Sequence, residues 1–500
     1  SKSIIYQLIL CYYDKYYIHH RQFVVTSEGD IIKLGKSVDH TFTQRKHTYT
    51  MKIISALLAI VSLHLNVTAQ SEDVGGSHQL PLVLTPLIKS HNIKEAKAAA
   101  EVKFEEFYEI KSYAGYFTVS ERFNSNTFFW FFPCECDYET APVLLWLQGG
   151  PGESSLIGLF GENGPFEVNS SYQLGLREHR WTKKFSIIYV DNPVGCGFSF
   201  TNDGGHARNQ TIIGEQLYEA ISQFFDLFPE LATNDFYVSG QSYAGKYVPA
   251  LAYTILKKGN TSTIRLKGLA IGSAYSDPIN QFVYSDYLFQ IGLIDSKSKR
   301  QMREMEEKAI ELISKKEWVA AGDVFADLIY EARNNTFFQN VTGFTEPINY
   351  LKLNDKSLND YIAYIQRADV RRAIHVGNAT FHDAVTVDKH LAEDFIQSVS
   401  PWISELLSNY RMMFYNGQVD IIVPYPSVTN FLEKLNFSSV DEYKNNDRHF
   451  WYVNGDLAGY VKQAGNLTEV LVRKAGHMIP RDQPEWALDL MTKFVYNQFQ

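Results

Sequence analysis

The sequence predicts an α/β fold in which a mostly parallel sheet carries helices on both faces. Short apolar runs bounded by turn residues recur along the chain and have the length of buried strands. Helical stretches separate these runs, and buried strands that alternate with helices are typical of a parallel sheet. The 500 residues are 45% hydrophobic and 21% charged, a composition that excludes disordered and collagen-like proteins.

The elements can be assigned in chain order. Aromatic and β-branched residues at 112–119 and 127–132 predict an early hairpin. The apolar runs then predict strands at 143–147, 186–190, 235–238, 266–271, 411–415 and 470–472. The helical patterns lie at 214–228, 247–258, 402–408 and 483–496.

One long stretch breaks this alternation. Polar helical patterns at 296–316 and 318–333 replace the strand signals there. We interpret the stretch as a helical cap insertion within one catalytic core. The predicted organisation is a leading segment at 70–111, a first core part at 112–275, the cap insertion at 276–373 and a second core part at 374–500.

The front of the chain carries the pattern of an export signal. Met51-Lys52 gives a positive start, an apolar run covers 53–65, and small residues precede Gln70. These features predict a signal peptide at 51–69, because the run is shorter than the roughly 20 residues that a membrane-spanning helix needs. We therefore expect no membrane span in the mature form. Residues 1–50 are interpreted as a non-native upstream extension; the alternative is a real extension that ends in an internal signal anchor.

Charge and sequons indicate the kind of partner and compartment. The net charge of −9 comes from 56 acidic and 47 basic residues, so no basic excess points to a nucleic acid partner. Eight Asn-x-Ser/Thr sites fit a glycoprotein that is secreted or sent to a lysosome- or vacuole-like compartment. They are Asn169, Asn209, Asn260, Asn334, Asn340, Asn378, Asn436 and Asn466. The oligomeric state stays open, and a homodimer is one alternative.

Three cysteines follow the signal peptide, so at least one thiol has no partner within the chain. Cys134 and Cys136 are expected to lie too close in sequence to bridge comfortably. A Cys-x-Cys pair can bind metal, but no His or Cys cluster accompanies this one, and we expect no metal site. Cys196 is expected to be a buried, unreactive thiol.

Ser242 lies in a segment typical of a nucleophile elbow. The segment reads SGQSYAG at 239–245, after a predicted strand and before a predicted helix. Small residues at 240 and 244 allow the sharp turn that exposes a nucleophilic serine in an α/β-hydrolase fold. Because such segments also occur in ordinary turns, the elbow alone leaves both interpretations open.

A serine nucleophile needs a base, and the base needs an orienting carboxylate. Asp420 and His477 follow predicted strands, and with Ser242 they give the chain order of an α/β-hydrolase triad. Both come just past strand ends, where parallel sheets bind ligands. His375 and His449 compete for the role of base, but neither follows a strand in a loop of small residues.

The chain resembles the serine carboxypeptidase family in a set of ordered motifs. They include WLQGGPG at 146–152, ENGP at 162–165, DNPVG at 191–195, the elbow, NGQVD at 416–420 and AGHM at 475–478. Order and spacing match over nearly all of 112–494, and the branch that it resembles most is the vitellogenic carboxypeptidase-like one. The resemblance implies an α/β-hydrolase fold and the release of single C-terminal residues from peptides, with no metal or cofactor.

The same resemblance implies residue roles. Ser242 would attack the carbonyl, His477 would act as general base and then acid, and Asp420 would orient the histidine. The backbone N–H groups of Gly150 and Tyr243 would form the oxyanion hole. The substrate's C-terminal carboxylate would be bound by Gln148, Gly149, Glu162 and Gln241.

Two of these positions depart from the family pattern, since Gln148 replaces Asn and Gln241 replaces Glu. Glu donates a hydrogen bond to a carboxylate only when it is protonated, whereas Gln always can. We therefore expect carboxylate recognition to persist with less acid dependence. The alternatives are an esterase or acyltransferase on the same scaffold and a catalytically silent, secreted binding protein.

Overall fold

The computed structural model describes residues 80–108, 110–330, 335–353 and 360–499, together with the backbone of two short upstream strands. The chain divides into two compact units, Ser1–Ser77 and His78–Gln500. In the first unit, strands β1 (Phe23–Val25) and β2 (Ile31–Lys33) pair antiparallel. They fall within the predicted upstream extension. The rest of that extension and the predicted signal peptide lie outside the described residues.

The second unit is built on one large sheet. The strands of this unit, in chain order, are β3 (Tyr113–Ser120), β4 (Ser125–Phe132), β5 (Val143–Leu147), β6 (Phe166–Val168), β7 (Leu174–Leu176), β8 (Ser186–Val190), β9 (Phe236–Gln241), β10 (Leu266–Gly272), β11 (Arg411–Gly417), β12 (His449–Val453), β13 (Asp456–Ala464) and β14 (Leu467–Val472). Strands β6 and β7 form a separate antiparallel pair. The others form a sheet in the order β12-β13-β14-β11-β10-β9-β5-β8-β4-β3.

The centre of this sheet is parallel, from β14 through β11, β10, β9 and β5 to β8. Antiparallel pairs close both edges. The mostly parallel sheet predicted from the sequence is therefore confirmed. Two edge strands, β12 and β13, were not predicted because they mix exposed and buried positions, whereas strands such as β5 and β8 are buried along their whole length and almost entirely apolar.

Helices cover both faces of the sheet. They are α1 (Thr85–Lys89), α2 (Ile93–Ala100), α3 (Leu156–Gly161), α4 (Gln210–Leu227), α5 (Ala244–Lys258), α6 (Pro278–Gln281), α7 (Tyr284–Gln290), α8 (Ser296–Ser314), α9 (Trp318–Leu328), α10 (Phe337–Thr342), α11 (Asp360–Ile365), α12 (Ala368–Ala373), α13 (Val385–Leu391), α14 (Ser400–Leu406), α15 (Tyr425–Leu432), α16 (Val440–Asn445), α17 (Ile479–Asp482) and α18 (Pro484–Val495). No helix among the described residues is both long and apolar enough to cross a bilayer.

Two hydrophobic cores lie on opposite faces of the sheet. Successive strand side chains point to opposite faces, so Leu145 packs in the core with α4 and α5, whereas Leu144 and Trp146 pack in the other core. Helix α18 covers that second core through residues such as Leu490. This two-sided burial explains why β5 is an unbroken apolar run.

The helical stretch that interrupts the core runs between β10 and β11. It begins at α6 and includes the predicted helices at 296–316 and 318–333, which the structure has as α8 and α9. Beyond residue 373, helices α13 and α14 complete the connection to β11, and α14 corresponds to the helix predicted at 402–408.

The cysteine pairing differs from the prediction. Cys134 and Cys136 form a disulfide, and the expectation that they lie too close in sequence was wrong. With one residue between them their Cα atoms are 5.1 Å apart, which is within the usual range for a disulfide. Among the described residues Cys196 is a free, buried cysteine, and burial raises the pKa of its thiol well above the usual value.

Candidate active site

The predicted site residues follow neighbouring parallel strands. Ser242 comes directly after β9, Asp420 lies three residues beyond β11, and His477 lies five residues beyond β14. Because these strands and β10 between them are parallel, their carboxyl ends share one edge of the sheet. The end of β10 contacts both outer loops, since the Gly272 carbonyl accepts the Ser242 N–H at 2.9 Å and Ser273 Oγ donates to the His477 carbonyl at 3.3 Å.

The backbone at Ser242 has the sharp conformation predicted for an elbow. Its φ angle is +60°, which is rare and costly for a residue other than glycine. The turn is held because the Ser242 carbonyl accepts N–H bonds from Gly245 at 2.8 Å and from Tyr275 at 3.0 Å. A Cβ on Gly240 would lie 2.4 Å from the Leu147 carbonyl oxygen, so only glycine fits there.

Asp420 and His477 form a hydrogen-bonded pair. The His477 Nδ1 atom lies 2.9 Å from Asp420 Oδ2, and both side chains are buried. The other carboxylate oxygen, Asp420 Oδ1, accepts the Val423 N–H at 3.0 Å. Because Nδ1 faces the carboxylate, the opposite ring nitrogen Nε2 is directed away from Asp420. This is the orientation that a histidine base needs toward a serine hydroxyl.

The two competing histidines have other surroundings. His375 Nε2 lies 3.1 Å from the carbonyl oxygen of Glu101. His449 is exposed at the start of the edge strand β12. Neither follows the carboxyl end of a central strand.

The loop that carries Gly150 packs closely against the elbow at the neighbouring Gly149. A Cβ on Gly149 would lie 2.7 Å from the Tyr243 nitrogen and 2.8 Å from Ser242 Cβ, so the glycine lets the two loops approach. Gly150 has a φ of +109°. Within the described ranges, the N–H groups of Gly150 and Tyr243 donate to no backbone carbonyl. Both are therefore available to a ligand oxygen.

The predicted carboxylate-binding side chains converge on Glu162. Gln241 Nε2 donates to Glu162 Oε1 at 2.8 Å, and Gln148 Nε2 donates to the same oxygen at 3.2 Å. Trp146 Nε1 donates to Gln148 Oε1 at 3.1 Å and thereby orients its amide. In the described part of the chain, Glu162 Oε2 and Gln241 Oε1 are buried without a hydrogen-bond partner. The cluster therefore has unused polar atoms.

Burial controls the protonation of Glu162. The side chain is 1% exposed, and desolvation raises its pKa to about 8, although the Gln148 hydrogen bond and the nearby His477 partly oppose the rise. The carboxyl group is therefore protonated at neutral pH. A protonated carboxyl can donate a hydrogen bond to an anionic carboxylate, which an ionised one cannot.

Two buried acids near the site were not predicted from the sequence. Asp191 follows β8 and accepts hydrogen bonds from Ser154 Oγ at 2.6 Å, the Ser155 N–H at 3.1 Å and the Phe198 N–H at 2.8 Å. It joins the loop after β5 to the loop after β8, and its position past a strand end was the available signal. Asp394 pairs with Lys246 beneath the elbow. No local pattern marks Asp394, although a lysine in the apolar first turns of α5 is unusual.

The described residues contain no cluster of three or more His, Cys, Asp or Glu side chains that could hold a metal ion. The Cys134–Cys136 disulfide occupies the sulfur atoms of the one Cys-x-Cys pair.

Comparisons with known proteins agree on one family. The family model described as serine carboxypeptidase matches residues 102–497. The venom serine carboxypeptidase of Apis mellifera is 48% identical over 85% of this chain and 92% of its own length. The vitellogenic carboxypeptidase of Aedes aegypti is 44% identical over 84% and 90%, and a probable serine carboxypeptidase of Homo sapiens is 42% identical over 85% and 91%.

Among solved structures, a prohormone-processing carboxypeptidase from Saccharomyces cerevisiae superposes with a TM-score of 0.67. The superposition covers 80% of this chain and 96% of the yeast chain, at 22% sequence identity. At this level of identity the likeness shows the fold, which is the α/β-hydrolase fold that the resemblance to the family implies.

Proposed function

The chain belongs to the serine carboxypeptidase family and is a serine-type carboxypeptidase, and from this premise we propose the residues and steps by which it acts. We assign Ser242, His477 and Asp420 as the catalytic triad. The observation that supports this assignment is the buried His477–Asp420 pair at the same sheet edge as a serine in strained elbow geometry. The enzyme releases one residue at a time from peptide C-termini.

The reaction proceeds in two halves. Ser242 Oγ attacks the last peptide carbonyl while its proton passes to His477 Nε2, and the Gly150 and Tyr243 N–H groups bind the resulting oxyanion. His477 then gives the proton to the departing amine, which leaves as a free amino acid. Water attacks the acyl-enzyme with His477 again as base and releases the shortened peptide. Each oxyanion donor is worth roughly 3–4 kcal/mol of barrier lowering.

Exopeptidase specificity comes from the cluster around Glu162. The protonated Glu162 donates its O–H to the substrate carboxylate, and the amides of Gln148 and Gln241 orient it from its other oxygen. The Gly149 backbone beside the cluster completes the binding site. A substrate without a free C-terminal carboxylate loses these hydrogen bonds. We therefore expect a peptide with a C-terminal amide to be a poor substrate.

The test compares one peptide with a free C-terminus and the same peptide as its C-terminal amide, followed by mass spectrometry from pH 4 to 8. Stepwise loss of single residues from the free acid alone supports the proposal. Cleavage of neither peptide, with a fluorophosphonate still labelling Ser242, favours an esterase or acyltransferase. Absence of both cleavage and labelling favours a silent binding protein and contradicts the assignment.

The Gln241 side chain should broaden the pH range of substrate binding. In the wild type, KM for a peptide acid should change by less than about twofold from pH 5 to 7 and rise above about pH 8, as Glu162 ionises. In Gln241→Glu, the introduced carboxyl group would lie next to the carboxyl group of Glu162. As pH rises the two groups lose protons, and fewer O–H groups remain to donate to the substrate carboxylate. We expect its KM to increase at least about fivefold between pH 5 and 7.

The matched control for this experiment is Gln301→Glu, which makes the same change on the exposed surface of α8. Its KM should follow the wild-type pH profile. Identical pH profiles for Gln241→Glu and the wild type would contradict the role given to Gln241.

We also propose that the protein enters the secretory pathway as a glycoprotein and is secreted or delivered to a lysosome-like compartment. The honeybee relative is named a venom protein, which supports this route. Of the eight sequon asparagines, the seven within the described residues are exposed, and Asn334 lies outside them.

The native protein should therefore lose the mass of several glycans on enzymatic deglycosylation. Its N-terminal peptide should begin at Gln70, and no peptide from residues 1–50 should be found by mass spectrometry. An unchanged mass would contradict the secretory route, and an upstream peptide would contradict the extension hypothesis.

The helical stretch between β10 and β11 is proposed to act as a cap over this site. Tyr330, just after α9, donates its hydroxyl to the Gly150 carbonyl at 3.2 Å. The cap therefore contacts the oxyanion loop directly. Side-chain preference at the substrate's last residues would depend partly on this stretch.

A further inference from the structure

A buried ion pair lies directly beneath the elbow. Lys246 is fully buried and Asp394 nearly so, with Lys246 Nζ 2.8 Å from Asp394 Oδ2. Lys246 also donates to the backbone carbonyls of Asp394 and Phe395. Burying two charges carries a desolvation cost that a well-packed apolar pair would avoid. Stability of the fold alone therefore does not explain why this ion pair is buried here.

The carboxylate of Asp394 binds the start of two helices. Asp394 Oδ2 accepts the Tyr243 hydroxyl at 2.9 Å and Gln210 Nε2 at 2.6 Å. Tyr243 and Lys246 lie one helical turn apart at the start of α5, and Gln210 is the first residue of α4. One side chain from the helical stretch thus holds the first turn of the helix that follows Ser242.

Phe395 extends this contact to the other half of the oxyanion hole. Its ring stacks on Tyr243, with centroids 5.4 Å apart and planes 12° apart. On another side it packs against Tyr330, with centroids 5.5 Å apart. Tyr330 donates to the Gly150 carbonyl. Both residues assigned to the oxyanion hole are therefore contacted by the same helical stretch, Tyr243 through Asp394 and Gly150 through Tyr330.

Such support matters because the elbow is strained. A serine at φ +60° keeps that conformation only where its surroundings determine it. The Tyr243 N–H stabilises an oxyanion only within about 2.7–3.1 Å, so a small rotation of the first turn of α5 would weaken it. We propose that Asp394, paired with Lys246, is a positioning residue that fixes the Tyr243 N–H for the oxyanion. This inference rests on the proposed catalytic function.

The test removes only the hydroxyl that Asp394 holds, in Tyr243→Phe, and leaves the backbone N–H in place. We expect kcat to fall about tenfold while KM stays within about twofold, because the oxyanion forms only after substrate binds. A peptide aldehyde, whose adduct with Ser242 carries the same oxyanion, should bind weaker by the factor by which kcat/KM falls. Inhibition by the free amino acid product should not change.

The matched control is Tyr443→Phe. Tyr443 is also buried and donates its hydroxyl to a buried carboxylate, that of Glu469, but it lies on α16 beside the edge strands. It should lower the melting temperature about as much as Tyr243→Phe while leaving kcat at the wild-type value. If the Tyr243 hydroxyl had only a structural role, Tyr243→Phe and Tyr443→Phe would both keep the wild-type kcat.

The possible outcomes distinguish this inference from the proposed catalytic function on which it rests. An active wild type with Tyr243→Phe unchanged in kcat, or changed only in KM, would overturn the positioning role and leave the proposed function intact. A wild type inactive on peptide acids would overturn both. A kcat loss confined to Tyr243→Phe, matched by weaker aldehyde binding, would support the positioning role.

Discussion

An alanine in place of Ser242 is expected to lower kcat on a peptide acid by about 10⁴- to 10⁶-fold, as removal of a triad serine does in other serine hydrolases. The substitution removes the atom that forms the acyl-enzyme. It keeps the elbow, because alanine and serine meet the same steric cost at φ +60°. The free energy of unfolding should therefore change by less than about 1 kcal/mol.

The measurement is single-turnover and steady-state kinetics with the free peptide acid, together with fluorophosphonate labelling, which should vanish in Ser242→Ala. Ser112→Ala is the matched control, because Ser112 is buried and its Oγ has no hydrogen-bond partner within the described ranges. Its activity should equal that of the wild type. Retained turnover or labelling in Ser242→Ala would show that another residue is the nucleophile.

Asparagine in place of Asp420 should lower kcat by about 10⁴-fold with little change in KM. The reason lies in the hydrogen bonds of the carboxylate. Asp420 Oδ1 accepts the Val423 N–H, so an asparagine would keep its oxygen there and turn its NH₂ group toward His477 Nδ1. A donor at that position makes Nδ1 an acceptor and moves the imidazole proton to Nε2. Nε2 could then no longer accept the serine proton.

The kinetics of Asp420→Asn should be compared with those of Asp456→Asn, an exposed position on β13 that should behave as the wild type. Activity of Asp420→Asn should recover partly at high pH, where hydroxide can replace the base. A loss of less than about tenfold at neutral pH would mean that Asp420 does not orient the base.

The three residues proposed as the triad could be selected from the sequence because each follows a strand that contains a short apolar run. Such runs mark buried parallel strands, and residues just past their ends meet at one edge of the sheet. The β5 and β8 boundaries matched the prediction for the same reason. The residues proposed to bind the substrate carboxylate were inferred from the resemblance to a known family, because no local pattern would have grouped them.

Other features depend on contacts between distant parts of the chain. Lys246 and Asp394 are separated by 148 residues, and neither position carries a local signal for its partner. The raised pKa of Glu162 follows from burial by loops that the sequence does not arrange. The Cys134–Cys136 disulfide was not predicted because two cysteines so close in sequence were expected not to pair. The local backbone nevertheless allows the bond.

The burial of two carboxyl groups has a consequence for the pH at which the fold is most stable. The pKa of Glu162 rises from an ordinary 4.5 to about 8, and that of Asp191 from 3.8 to about 6, in both cases mainly through desolvation. Since the folded chain holds these protons more tightly than the unfolded one, their stabilising effect is complete below the ordinary values. It is lost as pH rises toward 6 for Asp191 and 8 for Glu162.

Each unit of pKa difference corresponds to about 1.4 kcal/mol, so the combined effect is a sizeable part of the stability of an ordinary domain. The chain should consequently resist heat and proteases better in a mildly acidic vesicle than in neutral fluid. Acidification would preserve this protein with little change in its substrate binding, and exposure to alkaline surroundings would shorten its working life.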